Sequence, residues 1–239
     1  MDIKIIAIVP SAGLGKRFDP SRRKTFVSIN GVPLLIYTLR RLHNEGSIAE
    51  IIPVIREEDT DRFNEMAKHY HLDRIRRIAP GGAERQDSIY NALRLIDMDG
   101  TDHYRNSYVL IHDGVRPYIP EGMVDKLLYE IKDVEGVIPG VPLKDTIKEI
   151  DAEGKVVSTL DRDRVRAVQT PQFFSFRVIK KAYDKAYEDG FYGTDDAALV
   201  ERAGGRVRII EGSPFNIKVT TPEDLKMVEF LLEKEQHSL

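Results

Sequence analysis

The chain of 239 residues is 41% hydrophobic and 31% charged, which supplies a full core and excludes general disorder. Its 36 basic and 39 acidic residues leave a net charge of −3, which argues against nucleic-acid binding through bulk charge and still allows a small basic pocket for an anionic ligand. Cysteine is absent, so disulfides, thiolate nucleophiles, iron–sulfur clusters and sulfur-ligated zinc are ruled out, and no run of about eighteen apolar residues could span a bilayer.

Apart from Lys4, residues 3–9 form an apolar run that stops at Pro10, the pattern of a strand buried on both faces of a parallel sheet. The run carries no basic segment or cleavage pattern, so no signal peptide is expected and the cytoplasm is the expected compartment. Further strands are expected at 51–55, 107–112 and 207–210. Between them, Ile89, Ala92, Leu93 and Ile96, and then Val124, Leu127, Leu128 and Ile131, repeat at helical spacing. Sustained alternation of strand and helix predicts a doubly wound α/β sheet. One stretch breaks the rhythm: 144–150 and 155–160 read as strands joined by Asp151-Ala152-Glu153-Gly154, a hairpin inserted like an arm. The last helix starts at Thr221 as N-cap, with Pro222 at N1 and Asp224 at N3. Neither an internal repeat nor a Gly/Ser linker divides the chain, so one domain with a projecting hairpin is the economical organisation.

The loop after the first strand reads Pro10-Ser11-Ala12-Gly13-Leu14-Gly15-Lys16-Arg17. Gly-x-Gly serves a plain strand-to-helix turn as readily as a phosphate cradle. Its place at the carboxyl end of the first strand, followed by Lys16, Arg17, Arg22, Arg23 and Lys24, favours a phosphate site. Residue 18 is Phe, which leaves the dinucleotide fingerprint incomplete and weakens a dehydrogenase reading, and the P-loop spacing is absent.

Together with Gly81-Gly82-Ala83-Glu84-Arg85-Gln86-Asp87-Ser88, His112-Asp113-Gly114-Val115-Arg116-Pro117, Thr170-Pro171-Gln172 and Asn216-Ile217-Lys218-Val219-Thr220, this loop resembles the ordered motifs of the 2-C-methyl-D-erythritol 4-phosphate cytidylyltransferase family. The motifs cover nearly the whole chain in the right order. The resemblance implies a Rossmann-like nucleotidyltransferase fold with a mixed, mostly parallel sheet, one domain over 1–239 and a dimerisation hairpin arm at about 141–166. It also implies a homodimer that uses Mg²⁺ to join CTP to a polyol phosphate, releasing pyrophosphate, in the non-mevalonate route to isoprenoids.

That chemistry needs no general base, because the second pKa of a phosphate monoester is about 6 and the attacking oxygen is already anionic. It needs positive charge on the α-phosphoryl group and on the departing pyrophosphate. By resemblance, Arg17, Lys24 and Lys218 are catalytic, although Arg23 and Thr25 flank Lys24 where the family usually has Pro and Gln, so Arg22 or Arg23 could share its task. Pro10, Ala12, Gly13, Gly15, Gly81, Gly82, Arg85 and Ser88 are implied to bind CTP, with the Gly81–Gly82 loop reading the cytosine largely through backbone groups. Asp113 is implied to hold Mg²⁺ and, with Arg116, Thr146, Arg162 and Thr170, the second substrate. Of these, Thr146 and Arg162 match positions that cross the dimer interface. His112 is read as structural.

Ribitol-5-phosphate cytidylyltransferases are closely similar but usually carry a Gly-Gly pair where this chain has Ser11-Ala12, and Thr where it has Ser88, so methylerythritol phosphate is the favoured substrate. A non-catalytic nucleotide-binding module is the reading from another class. Retention of Arg17, Lys24, Asp113 and Lys218 weighs against it.

Overall fold

The computed structural model describes residues 4–13, 24–98 and 107–236. Strand β1 (Ile5–Pro10) comes first, and a short hairpin of β2 (Ser28–Ile29) and β3 (Val32–Pro33) leads into helix α1 (Leu34–Asn44). Strand β4 (Ile48–Ile55), helix α2 (Thr60–His69), strand β5 (Ala79–Pro80) and helix α3 (Arg85–Asp97) carry the alternation on to β6 (Tyr108–Ile111). Helix α4 (Met123–Glu130) precedes β7 (Gly136–Pro142), the arm strands β8 (Ile147–Ile150) and β9 (Val156–Leu160), then β10 (Arg166–Val168) and β11 (Gln172–Ser175). The last elements are α5 (Phe176–Glu188), α6 (Asp196–Arg202), β12 (Val207–Glu211) and α7 (Pro222–Gln236).

In the main sheet β1 is central, parallel to β4 on one side and to β6 on the other, with β5 parallel beyond β4. Past β6 lies β11, antiparallel to both β6 and β7, and β12 runs parallel to β7 at that edge. Strand β10 pairs antiparallel with the far end of β7. The sheet is thus mixed and mostly parallel, as the family resemblance implies. Its pleat sends alternate side chains to opposite faces. Ile5, Ala7 and Val9 pack with Leu35, Leu39, Phe63 and Leu127, whereas Ile6 and Ile8 pack with Ile89, Leu93, Ile179 and Tyr183. Helices α1, α2 and α4 therefore cover one face and α3, α5 and α6 the other, which is why β1 reads as unbroken apolar sequence.

Strand β4 begins three residues before its expected start at 51. The cause is Glu50, which looks like a surface residue but is buried, both carboxylate oxygens accepting from Arg77 at 2.8 Å. Strand β7 escapes sequence reading because its seven residues, Gly-Val-Ile-Pro-Gly-Val-Pro, are rich in residues that usually break strands. Val124, Leu127 and Leu128 lie on α4 as expected, while Ile131 falls in the 3-10 turn that ends it.

The arm is a separate two-stranded sheet whose turn is held by Asp151 Oδ1, which accepts from the amides of Glu153 and Lys155. Ile150, Val156 and Val157 on it are each 60% exposed or slightly more. Among the described residues, no helix is long and apolar enough to cross a membrane.

Helix α7 starts as predicted. Thr221 Oγ1 accepts from the amide of Asp224, and Asp224 Oδ2 accepts from the amides of Thr220 and Thr221 and from the Thr220 hydroxyl. The cap fixes the chain two residues past Lys218. We expect Asp224→Ala to lower stability by about 1 kcal/mol in urea denaturation; a change indistinguishable from zero would show that the cap carries no load.

Candidate active site

A cavity of about 390 Å³ opens at the carboxyl ends of β1, β4 and β6. The strand order reverses here, with β4 following β1 on one side and β6 on the other, and open α/β sheets place ligands at such a switch point. Its walls come from Pro10, Ser11, Ala12 and Gly13 after β1, Arg56 after β4, residues 82–85 with Ser88 at the start of α3, Asp113 and Val115 after β6, and Thr25 and Lys218. Most of the residues expected to bind nucleotide therefore meet in one place. Gly15 and Arg17, with Lys16, Arg22 and Arg23, lie outside the described residues, and of Lys24 only the backbone, in a 3-10 turn, is described.

Asp113 is the hub. Only 5% exposed, it receives Arg85 Nε at 3.3 Å on Oδ1, and Arg116 Nε at 3.3 Å and Lys218 Nζ at 3.0 Å on Oδ2. Burial opposes its ionisation, but Arg85, Lys218 and Arg116 outweigh burial and hold the carboxyl well below the usual range. Arg85 is fixed at its other end by Asp196, wholly buried, whose two oxygens accept from Nη1 at 3.1 Å and Nη2 at 2.8 Å. Burial disfavours the guanidinium charge, yet Asp196 and Asp113 raise its pKa above the ordinary arginine value. A guanidinium has five N–H groups, so Arg85 keeps donors for a ligand while its orientation is locked. Lys218 spends one donor on Asp113 and keeps 38% of its side chain exposed.

Arg116 and Thr170, expected on the second substrate, sit behind Asp113 and do not line the cavity. Arg116 is buried and donates from Nη1 to the Asn216 carbonyl at 2.7 Å; burial lowers its pKa, against Asp113. Thr170 Oγ1 accepts from the Asp113 amide at 3.0 Å. His112 completes this layer. Its Nε2 lies 2.9 Å from the Arg116 carbonyl, which can only accept, so the proton is on Nε2 and Nδ1 accepts from the Thr170 hydroxyl at 3.1 Å. Thr146 and Arg162 are on the exposed arm, away from this chain's cavity wall, and Arg162 Nη1 donates to the Lys144 carbonyl.

Glycine is required at 81 and 82 by close approach. A Cβ on Gly81 would lie 2.5 Å from that of Ala12, and one on Gly82 would lie 2.3 Å from that of Asp87. The loop therefore presses against both the first glycine loop and the helix start. The Ser88 hydroxyl accepts from the Gly82 amide at 3.0 Å and donates to the Glu84 carbonyl at 3.1 Å, so it shapes the loop.

Sequence reasoning missed Arg56 and Asp196. Arg56 donates from Nε to the Ala12 carbonyl at 2.8 Å and faces the cavity; a cation at the carboxyl end of the second parallel strand was the available signal. Asp196 follows the N-cap Asp195 and reads as an ordinary acid in a first helical turn, so nothing marked it as the buried partner of Arg85.

Among the described residues, no group of three or more histidines and carboxylates could hold a metal. Mg²⁺ needs only one or two carboxylates when phosphates supply the other oxygens. Asp113, ionised and on the cavity wall, fits that limited donor set.

The family model described as 2-C-methyl-D-erythritol 4-phosphate cytidylyltransferase matches residues 5–234. The cytidylyltransferase of that name from Dictyoglomus thermophilum is 43% identical over 235 residues, 98% of each chain. Its counterpart from Bacillus mycoides is 44% identical over 225 residues, 94% of this chain and 96% of the relative. A solved structure of 4-diphosphocytidyl-2C-methyl-D-erythritol synthase from Anaerococcus prevotii superposes with a TM-score of 0.83 at 32% identity, over 97% of each chain.

Burial lowers the pKa of His112 to about 4 against an ordinary 6.5, so it is neutral at pH 7. Between those values the unfolded chain binds the extra proton, and stability must rise with pH. Urea denaturation should therefore show a loss approaching about 3 kcal/mol as pH falls through this window. A wild-type stability that is flat through it, or a slope that persists in full in His112→Gln, would contradict the assignment.

Proposed function

Since the chain belongs to the 2-C-methyl-D-erythritol 4-phosphate cytidylyltransferase family, we propose that the cavity at the carboxyl ends of β1 and β6 is where it transfers the cytidylyl group from CTP to 2-C-methyl-D-erythritol 4-phosphate. The reaction releases pyrophosphate and forms 4-diphosphocytidyl-2-C-methyl-D-erythritol for isoprenoid biosynthesis. The observation that carries the site assignment is the convergence of Arg85 and Lys218 on Asp113 inside that cavity. Ribitol 5-phosphate is not favoured, because the matched family and relatives act on the methylerythritol ester.

CTP lies with its triphosphate along the loop after β1 and its base against the Gly81–Gly82 loop. A phosphate oxygen of the methylerythritol ester attacks the α-phosphorus in line. The bond from that phosphorus to the bridging oxygen breaks, and pyrophosphate leaves with the electron pair. Arg17, Lys24 and Lys218 neutralise the crowded phosphoryl centre and the leaving group. Asp113 holds Lys218 and Arg85 in place before substrate arrives. Mg²⁺, when bound, adds positive charge to the triphosphate, with Asp113 as the carboxylate facing it. Arg116 supports Asp113 from behind and Thr170 fixes its backbone, so both reach the second substrate through Asp113.

The exposed arm, with Ile150, Val156 and Val157 uncovered, supports a homodimer in which Thr146 and Arg162 of each chain enter the partner's site. Guanidinium recognises a phosphate bidentately, as lysine cannot. We propose a cytoplasmic enzyme, a reading supported by two highly charged substrates that do not cross a bilayer unaided, and we take 1–239 as one domain with the arm at about 141–166.

Pyrophosphate release from CTP and Mg²⁺ should be rapid with methylerythritol phosphate and slow with ribitol 5-phosphate; the reverse order would overturn the substrate. Asp113→Asn should reduce turnover at least about a hundredfold through misplaced cations while the fold survives. Arg162→Ala and Arg17→Ala homodimers should both be inactive, and mixing them should restore activity through dimers with one intact site. No recovery on mixing would sink the shared site.

A further inference from the structure

The first turn of α3 is tied, residue after residue, to a segment that does not itself line the cavity. Arg85 pairs with Asp196 at the start of α6. The Gln86 side chain, 7% exposed, bridges two backbone groups of the α5–α6 connection, donating to the Phe191 carbonyl at 2.9 Å and accepting from the Gly193 amide at 2.9 Å. Asp87 Oδ1 accepts from the hydroxyls of Tyr187 and, at 2.8 Å, Tyr192, while its Oδ2 accepts from the Glu84 amide at 2.8 Å. The Tyr187 ring is itself stacked on Tyr90 of α3, with centroids 4.2 Å apart.

These ties act on the cavity through Gly82. Its backbone lies so close to Asp87 that even a Cβ would collide, and its amide is held by Ser88. Ala83 and Glu84, which also line the cavity, are strung between Gly82 and the Asp87 contact. Moving Asp87 by a few tenths of an ångström must therefore move that wall. A simple solvent-exposed first turn would need only its own cap; bonds from Gln86 and Asp87 to the distant 187–193 stretch are additional constraints.

We propose that Gln86, Asp87, Tyr187 and Tyr192 form a brace that positions the 82–84 wall against the nucleotide base and so sets the preference for CTP over UTP. The inference rests on the assignment of that wall to the base in the preceding section. Tyr187 and Tyr192 are positioning residues in it; neither lines the cavity. Cytosine and uracil differ in one exocyclic group and one ring nitrogen, so backbone groups select between them only if they are held to a narrow range of positions.

The test is the Tyr187→Phe/Tyr192→Phe double variant, which keeps both rings and deletes both hydroxyls. We expect KM for CTP to rise about tenfold with kcat within about twofold, KM for methylerythritol phosphate to stay unchanged, and the ratio of CTP to UTP turnover to fall. An unchanged KM for CTP and an unchanged base ratio, even with a lowered Tm, would overturn the brace and leave only a structural role. Should the double variant not fold, Tyr192→Phe is read by the same criteria, because Tyr192 is 53% exposed and its ring supports little of the core. Wild-type enzyme assayed alongside separates the two claims: absence of pyrophosphate release there defeats the functional reading, whereas altered or unaltered selectivity in an active enzyme tests the brace alone.

Discussion

A carboxylate removed from water needs charge or hydrogen-bond partners close enough to repay its lost hydration, and most of this site follows from how Asp113 meets that need. Its oxygens gather Arg85, Arg116 and Lys218, its amide is held by Thr170, and the neutral His112 fixes Thr170 from the far side. The arrangement works in both directions. The cations keep the carboxylate ionised, and the carboxylate keeps mobile arginine and lysine side chains from wandering. Neutralising Asp113 leaves its cations without their common partner, while Arg85 keeps Asp196 and Lys218 keeps solvent, so the site's geometry depends on this point more than the fold does.

The same contacts fix the sign of the site. Asp113 and Asp196 offset two of the three cations joined to them, so the cluster retains a net positive charge beside a glycine loop. Arg85 and Lys218 contribute that charge at the cavity wall and Arg116 contributes it from behind. Preorganised charge of this kind stabilises a transferring phosphoryl group without reorganising during the reaction. An anionic nucleophile needs little else from the protein beyond alignment, which agrees with His112 being buried and neutral instead of serving as a base.

Sequence and structure agree where local pattern decides the outcome. The apolar run of β1, the helical spacing of Ile89 to Ile96, the arm hairpin and the Thr221–Asp224 cap all follow from periodicity and turn chemistry, and all are present. Asp113 was legible only as one member of a set of motifs, since a lone acid after a strand usually ends a turn. What stayed hidden depends on partners distant in the chain. Glu50 enters the sheet because Arg77 neutralises it, and Asp196 is buried because Arg85 reaches it across 111 positions. Arg116 and Thr170 illustrate the same limit: motif matching locates them near the site but not on which side of Asp113 they lie.

The ionisation of Asp113 in the free enzyme tests this account most directly. Following its side-chain carboxyl carbon by NMR as pH is lowered should show no titration through the ordinary aspartate value of about 3.9, because its cationic neighbours hold the ionised form. A midpoint at or above about 3.9 would mean that the cations do not converge on Asp113, and the organisation proposed for the site would fail with it.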